Sequence, residues 1–142
     1  MNIRIARQED AARISSLLSQ LGHPMPESKL FDKIARLLSH PDHLLVVYAK
    51  HEVSAVMSVH FIPQLARDGD LAIVSYLVVD ETSRSNGVGR ALEEYCVAAA
   101  IERNCDRVEI HCNIRRTDAH RFYERQGYQE ERKHFRKIIT KR

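Results

Sequence analysis

The 142-residue sequence offers little for covalent cross-linking or for metal binding. Its three cysteines, Cys96, Cys105 and Cys112, are odd in number and show no C-x-x-C spacing, so they encode neither a disulfide framework nor a zinc site. The eight histidines include no H-x-x-x-H pair on one helix. We therefore expect reduced thiols and no bound metal.

Long apolar runs and a strong charge bias are missing as well. No stretch reaches the roughly 20 apolar residues that a membrane span needs, and residues 1–4 lack the hydrophobic core of a signal peptide, so we expect a cytoplasmic protein that does not engage a membrane. A net charge of +3 favours anionic ligands only mildly. The length and the ordinary composition predict a single domain over residues 1–142.

The apolar pattern alternates between helical and extended periods along the chain. Helical spacing predicts helices over residues 8–21, 27–39, 88–103 and 117–126. Runs rich in β-branched residues predict strands over residues 2–6, 44–49, 53–62, 71–79, 107–112 and 131–139. The order βααβββαβαβ predicts an α/β sandwich built on a mixed, mostly antiparallel sheet.

A glycine-bearing loop joins the strand predicted at residues 71–79 to the helix that follows it. The loop and the first helical turn contain Arg84, Ser85, Asn86, Gly87, Val88, Gly89 and Arg90. Glycine lets the main chain approach a ligand closely, and the free N–H groups at a helix start bind anions. Residues 84–90 are therefore a candidate pyrophosphate site, to which the two arginines add positive charge.

Two familiar nucleotide-binding loops do not fit this segment. A Walker A loop needs Gly-Lys-Ser/Thr, whereas the chain has Gly89-Arg90-Ala91. A dinucleotide fingerprint needs three spaced glycines at the start of a parallel sheet, whereas this loop follows a predicted hairpin. The pyrophosphate site must therefore belong to another class of protein.

A second segment, residues 118–128, makes the assignment more specific. Its helical stripe contains Ala119, Phe122 and Gln126, with Tyr123 at the edge of the stripe. Together the two segments resemble the GCN5-related N-acetyltransferase (GNAT) superfamily over essentially the whole chain. The R/Q-x-x-G-x-G/A loop of that family is matched by Arg84, Gly87 and Gly89. Its A-x-x-x-Y-x-x-x-G-Y/F element is matched by Ala119, Tyr123, Gly127 and Tyr128.

The resemblance implies how acetyl-CoA, the acetyl donor, would bind. In such enzymes the strand before the loop splays from its neighbour, and its backbone pairs with the pantetheine arm. The corresponding strand end is Leu77, Val78 and Val79, whose side chains we expect in the core. The loop from Arg84 to Arg90 would hold the pyrophosphate, and Asn113 would bond the pantetheine amides.

Acetyl transfer to an amine needs a neutral nitrogen, stabilisation of the oxyanion and a proton for the departing thiolate. Backbone N–H groups near Val78 and Val79 would polarise the thioester carbonyl. Tyr123 is the predicted acid, because a phenol with an ordinary pKa of about 10 stays protonated at neutral pH.

The general base is where the sequence departs from the family. Many relatives carry a glutamate just before the Leu-Val-Val segment, where this chain has Ser75 and Tyr76. A water relay, steered by Tyr76, is the first interpretation, and His111 or His60 is the second, since a neutral imidazole titrates near the working pH. An amine that binds already neutral would need no base.

The acceptor is predicted to be the primary amine of a small molecule. Arg116 replaces an asparagine common in the family, and the run of residues 113–123 looks most like the aminoalkylphosphonate acetyltransferase branch. Arg116 would then contact a phosphonate or the phosphates of CoA. A peptide or protein N-terminal acetyltransferase stays open, with a groove formed by residues 63–69 and the segment around Pro24. A non-catalytic binder of acyl-CoA or nucleic acid stays open as well. Nucleic acid is the less favoured partner, and a homodimer is also left open.

Overall fold

The computed structural model describes residues 2–84, 86–111, 117–131 and 134–139. The chain divides into two compact units, Met1–His111 and Cys112–Arg142. The described strands are β1 Ile3–Ile5, β2 His43–Ala49, β3 Val53–Ile62, β4 Asp70–Val79 and β5 Cys105–Ile110. The described α-helices are α1 Ala11–Leu21, α2 Glu27–Leu38, α3 Val88–Glu102 and α4 Thr117–Arg125. Short 3₁₀ turns form at Gln8–Asp10 and Glu81–Ser83.

The first unit is built on one five-stranded sheet in the order β1-β2-β3-β4-β5. The first four strands pair antiparallel, and β5 pairs parallel to β4. A parallel neighbour requires a long crossover, and α3 supplies it. The predicted α/β sandwich with a mixed, mostly antiparallel sheet is confirmed.

Alternating side chains of the central strands supply two apolar layers. On one face of the sheet, Leu45, Val47 and Val56 pack with residues of α1 and α2. On the other face, Val46 and Met57 pack with residues of α3. We name these the α1/α2 face and the α3 face. Because strand side chains alternate with a period of two, both layers follow from one continuous apolar run in each strand.

Asp10 fastens the start of α1 to the first strand. Its carboxylate accepts hydrogen bonds from the Arg4 guanidinium at 2.8 and 2.9 Å and from the Arg7 backbone N–H at 2.8 Å. Burial alone would raise the pKa of Asp10, but these hydrogen bonds outweigh it and hold the pKa below its usual value. The carboxylate is therefore ionised and paired at neutral pH.

The predicted last strand, residues 131–139, is not formed: Glu131 and residues 134–139 do not lie in a strand. Phe135, Ile138 and Ile139 are all exposed. The prediction rested on these three apolar residues standing among charges, and a strand-favouring composition does not supply a neighbouring strand to pair with. Among the residues with a described structure, no helix is long and apolar enough to cross a bilayer.

The α1/α2 layer generates a stability prediction. Leu17 is 0% exposed, so Leu17→Ala should lower the free energy of unfolding by about 2 to 5 kcal/mol through lost burial and a residual cavity. Leu65→Ala is the matched control, because Leu65 is 107% exposed and its truncation should change the free energy by less than about 0.5 kcal/mol. Urea unfolding followed by circular dichroism measures both. Equal effects would contradict the assignment of the core.

Candidate active site

Among the described residues, the carboxyl half of β4 has a backbone edge with no strand beside it. The parallel pairing with β5 ends at Val74 and Ile110, while the pairing with β3 continues to Val79. In the described part of the chain, no strand pairs with Ser75–Val79 on the side away from β3. We name this side the open edge. Its N–H and C=O groups can accept an extended ligand as an additional strand.

A β-bulge lies at the start of this half of the strand. Ser58 of β3 lies opposite Tyr76 and Val59 lies opposite Val74, so Ser75 is the extra residue. The bulge reverses which face each later side chain occupies. Val78 is therefore only 3% exposed on the α1/α2 face, while Leu77 and Val79 turn towards the α3 face. As expected, the side chains of Leu77, Val78 and Val79 belong to the core.

Asp80 fixes the chain where β4 ends and the glycine loop begins. Its carboxylate accepts hydrogen bonds from the backbone N–H of Thr82 at 2.9 Å and from the Thr82 hydroxyl at 2.8 Å. Arg13 of α1 donates to it at 3.0 Å and Gln20 at 3.4 Å. The bonds from Thr82, more than those from α1, lower the pKa of Asp80 to about 2. One carboxylate thus joins the loop to α1.

The loop turns into α3 at Gly87. This glycine has φ of +78°, in the left-handed region that glycine adopts without Cβ strain, and it precedes the first residue of the helix. The first intrahelical bond runs from Ala91 N–H to Gly87 C=O, so the N–H groups of Val88, Gly89 and Arg90 precede the hydrogen-bonded ladder. Together with the exposed Asn86 they form a helix start of the kind that can bind an anion, and that role stays a prediction.

The two arginines of the loop occupy different positions. Arg84 is exposed, and its Nε donates to the carbonyl of Val79 at 3.4 Å, which keeps the side chain beside the end of β4. Arg90 forms an exposed ion pair with Glu94 one turn along α3, at 3.0 Å. Exposed pairs of this kind contribute little stability, so a bound anion can replace Glu94 as the partner of Arg90 with little loss of free energy.

His60 does not stand alone on β3. It lies opposite His43 of β2, with the two ring centroids 4.5 Å apart, and His43 Nε2 is 2.8 Å from the Ser58 hydroxyl. Burial, reinforced by His60 and His40, lowers the pKa of His43 to about 4, and burial also lowers the pKa of His60. Both rings are therefore neutral at pH 7. The partner histidine was missed in the sequence because no motif joins residues of adjacent strands.

The other two candidates for the base lie elsewhere. Tyr76 is 43% exposed on the α1/α2 face, and its ring meets His23 edge to face at a centroid distance of 6.1 Å. His23 follows α1, so Tyr76 connects β4 with the segment between α1 and α2. His111 is exposed immediately after β5. The candidates His60 and His111 are thus separated by the width of β4.

Tyr123 lies on α4 in the second unit. Its ring meets Phe122 at 5.3 Å and Tyr128 at 5.9 Å between centroids. The helix ends at Arg125. Gly127, which follows it, has a φ of +92°, and the N–H of Tyr128 donates to the carbonyl of Tyr123 at 3.0 Å. The spacing of Tyr123, Gly127 and Tyr128 therefore has a local structural reason. The glycine ends the helix so that the ring of Tyr128 can pack against the ring of Tyr123.

Three predicted ligand-binding residues, Ser85, Asn113 and Arg116, lie outside the described residues. Within the described part of the chain, no three His, Cys, Asp or Glu side chains are grouped to hold a metal ion. Cys96 is buried and its thiol pKa is raised to about 12, mainly by burial, so this thiol is not a nucleophile at neutral pH.

Sequence comparison agrees with this geometry. The model of the acetyltransferase (GNAT) family matches residues 9–128. The chain belongs to the GNAT family. The match includes both the glycine loop after β4 and the tyrosine helix α4, which were the two segments that carried the resemblance.

Individual relatives are more distant. The GNAT chain is 28% identical over 139 residues to an aminoalkylphosphonate N-acetyltransferase of Salmonella typhimurium, covering 96% of this chain and 90% of that protein. A transcriptional regulator from Bacillus halodurans has the same fold, with a TM-score of 0.89 at 20% identity, over 96% of this chain and 98% of that one. Glucosamine-6-phosphate N-acetyltransferase from Arabidopsis thaliana reaches 0.83 at 20% identity, over 97% of both chains.

The Asp80 anchor generates a prediction about pH. Because the folded pKa lies below the usual 3.8, the stabilisation is present above pH 3.8 and is lost as the pH falls towards about 2. Asp80→Asn should therefore be less stable than wild type at pH 7, and the difference should narrow below pH 4. Denaturant unfolding at several pH values measures it. Glu81→Gln, at an exposed neighbour, is the control, and a difference that stays constant with pH would contradict the charge-based anchor.

Proposed function

We propose that the protein is an acetyl-CoA-dependent N-acetyltransferase that acetylates a primary amine of a small molecule. The observation that carries the proposal is the continuity of the open edge with the anion-binding start of α3. An extended, amide-containing chain that ends in a pyrophosphate fits this sequence of features, and acetyl-CoA has that chemistry. Action in the cytoplasm is part of the proposal, and the family membership and the free thiols of Cys96 and Cys105 support it.

In this proposal the pantetheine amides pair with the backbone of Leu77, Val78 and Val79. The pyrophosphate lies on the N–H groups from Val88 to Arg90, and Arg84 and Arg90 supply positive charge. Asn113 and Arg116 are further proposed contacts, to a pantetheine amide and to a phosphate. The bulge turns the β4 backbone at the inner end of this path, so that an N–H near Val78 polarises the thioester carbonyl.

The chemistry then needs few side chains. The amine attacks the carbonyl carbon, the C–S bond breaks, and the thiolate receives a proton from the phenol of Tyr123. Because a phenol is a weak acid, it remains protonated until the thiolate forms and is reprotonated by solvent afterwards.

Aminoalkylphosphonates are the first acceptors to test. The relative from Salmonella typhimurium, which carries that name, matches almost the whole chain. An arginine such as Arg116 suits a phosphonate because its planar guanidinium binds two oxygens at once.

An acceptor screen tests the proposal directly. We expect the protein and acetyl-CoA to convert at least one amine to its acetyl amide, detected by mass spectrometry, from a panel of aminophosphonates, polyamines, aminoglycosides, amino acids and peptides. Calorimetry should show acetyl-CoA binding. A lack of CoA binding at millimolar ligand would refute the proposal. Acetylation of peptides alone would show that the acceptor is a peptide and not a small molecule.

Two glycines provide a matched control for the donor site. Gly87 and Gly22 both adopt positive φ, +78° and +89°, and a Cβ at either would meet no atom within 4 Å. Gly87→Ala and Gly22→Ala should therefore each lose about 1 to 2 kcal/mol of stability from backbone strain. Only Gly87→Ala should also weaken acetyl-CoA binding, by about tenfold or more, because its strain reshapes the proposed pyrophosphate loop.

The proposed acid has a separate test. Tyr123→Phe keeps the ring contacts with Phe122 and Tyr128 but removes the phenolic proton. We expect kcat to fall about 100-fold with little change in acetyl-CoA affinity. Tyr95→Phe, at a half-buried tyrosine of α3, is the control and should stay near wild type. An unchanged kcat for Tyr123→Phe would remove this tyrosine from the mechanism.

A further inference from the structure

Three side chains from three adjacent strands form a hydrogen-bonded row on the α1/α2 face. Ser75 Oγ of β4 lies 3.2 Å from Ser58 Oγ and 3.3 Å from the Ser58 carbonyl oxygen. Ser58 Oγ of β3 lies 2.8 Å from Nε2 of His43 on β2. Ser58 is buried, and Ser75 and His43 are half-buried. We name these three residues the serine-histidine row.

The row ends where the open edge begins. Ser75 is the bulge residue of β4, and it directly follows Val74, the last residue of that strand that pairs with β5. On the proposed function, the thioester carbonyl lies near Val78, in the half of β4 that follows the row. The sequence places no carboxylate between Asp70 and Asp80, so the polar side chains of this stretch are those of Ser75 and Tyr76.

We propose that Ser75 Oγ accepts a hydrogen bond from the attacking amine, that Ser58 and His43 position this hydroxyl, and that the amine enters as its neutral free base. This inference rests on the proposed function and names the protonation state of its acceptor. Ser75 would touch the substrate, whereas Ser58 and His43 act through it.

The hydrogen-bonding capacity of the row supports this role. A serine hydroxyl has one proton and two lone pairs, and Ser75 directs its proton towards Ser58. A lone pair of Ser75 Oγ is then left to accept an N–H of the amine. Held in this way, the nitrogen can direct its own lone pair at the carbonyl carbon.

The electrostatics of the row favour the neutral amine. A carboxylate would stabilise an ammonium ion, but the row contains no negative charge. Within the described ranges, the titratable groups near it are His60 of β3, His40 before β2, and the Tyr76 and His23 pair on the same face. The pKa values of His43 and His60 are lowered by burial, so neither ring supplies a charge or a strong base near pH 7.

The reaction balances without storing a proton in the row. The neutral amine forms the C–N bond, the C–S bond breaks, and the phenol of Tyr123 gives a proton to the sulfur. The nitrogen releases one N–H proton to solvent, from which Tyr123 recovers its own. The products are the neutral amide and the CoA thiol. The acid limb of kcat/KM should therefore follow the pKa of the amine itself.

The pH test uses two or more amines of different pKa that the acceptor screen identifies. We expect the midpoint of the acid limb of kcat/KM to move with the pKa of the amine, unit for unit. An acid limb at the same pH for every amine would show that an enzyme group removes the proton, and it would overturn the inference.

The residue test compares variants of the row in the same assay. Ser75→Ala should lower kcat/KM for the amine about 10- to 100-fold while acetyl-CoA affinity, measured by calorimetry, stays unchanged. Ser75→Thr should recover part of the loss because it keeps the hydroxyl, and Ser58→Ala and His43→Ala should lose less than Ser75→Ala. Ser54→Ala, on the same strand as Ser58 but outside the row, should match wild type.

The outcomes separate the two proposals. A wild-type protein that binds acetyl-CoA and acetylates an amine, with Ser75→Ala as fast as wild type, would overturn the role of the row and leave the proposed function intact. A wild-type protein that acetylates no amine would overturn the proposed function and this inference together.

Discussion

The end of the β4–β5 pairing at Val74 and Ile110 is the constraint on which the rest of the site depends. A parallel ladder satisfies its backbone groups only while both strands continue. Among the described residues no strand continues it, so alternate residues of β4 beyond this point direct N–H and C=O groups to the side away from β3. The glycine loop and the start of α3 lie directly beyond that opening.

The bulge at Ser75 adds a second constraint to the same strand. Because of the bulge, β4 places Ala72, Val74 and Leu77 in the α3 layer and turns Tyr76 and Val78 towards α1 and α2. The hydrophobic side chains hold the strand in the core, while the main chain and the polar residues at the bulge remain available to a ligand. A regular strand of the same composition would have placed Tyr76 in the α3 layer.

Much of this structure followed from local patterns, and the remainder depended on pairing between distant residues. The helical stripes and the run of residues 71–79 gave the element order as far as α4, and the glycine loop was recognised because a strand, a turn and a helix start are contiguous in sequence. The bulge and the His43–Ser58–Ser75 contacts depend on the register between strands, which periodicity does not encode. The last strand was predicted from composition, which does not show whether a neighbouring strand is there to pair with. The single domain over residues 1–142 and the roles of the site residues stay predictions.

The attachment of Asp80 to both Thr82 and Arg13 has a consequence for engineering. The same carboxylate is bonded to Thr82, at the start of the glycine loop, and to Arg13 of α1. The position of the loop and the position of α1 are therefore coupled through one side chain. Libraries that vary α1 near Arg13 or Gln20 should for this reason be checked for changes in the loop as well as in the helix.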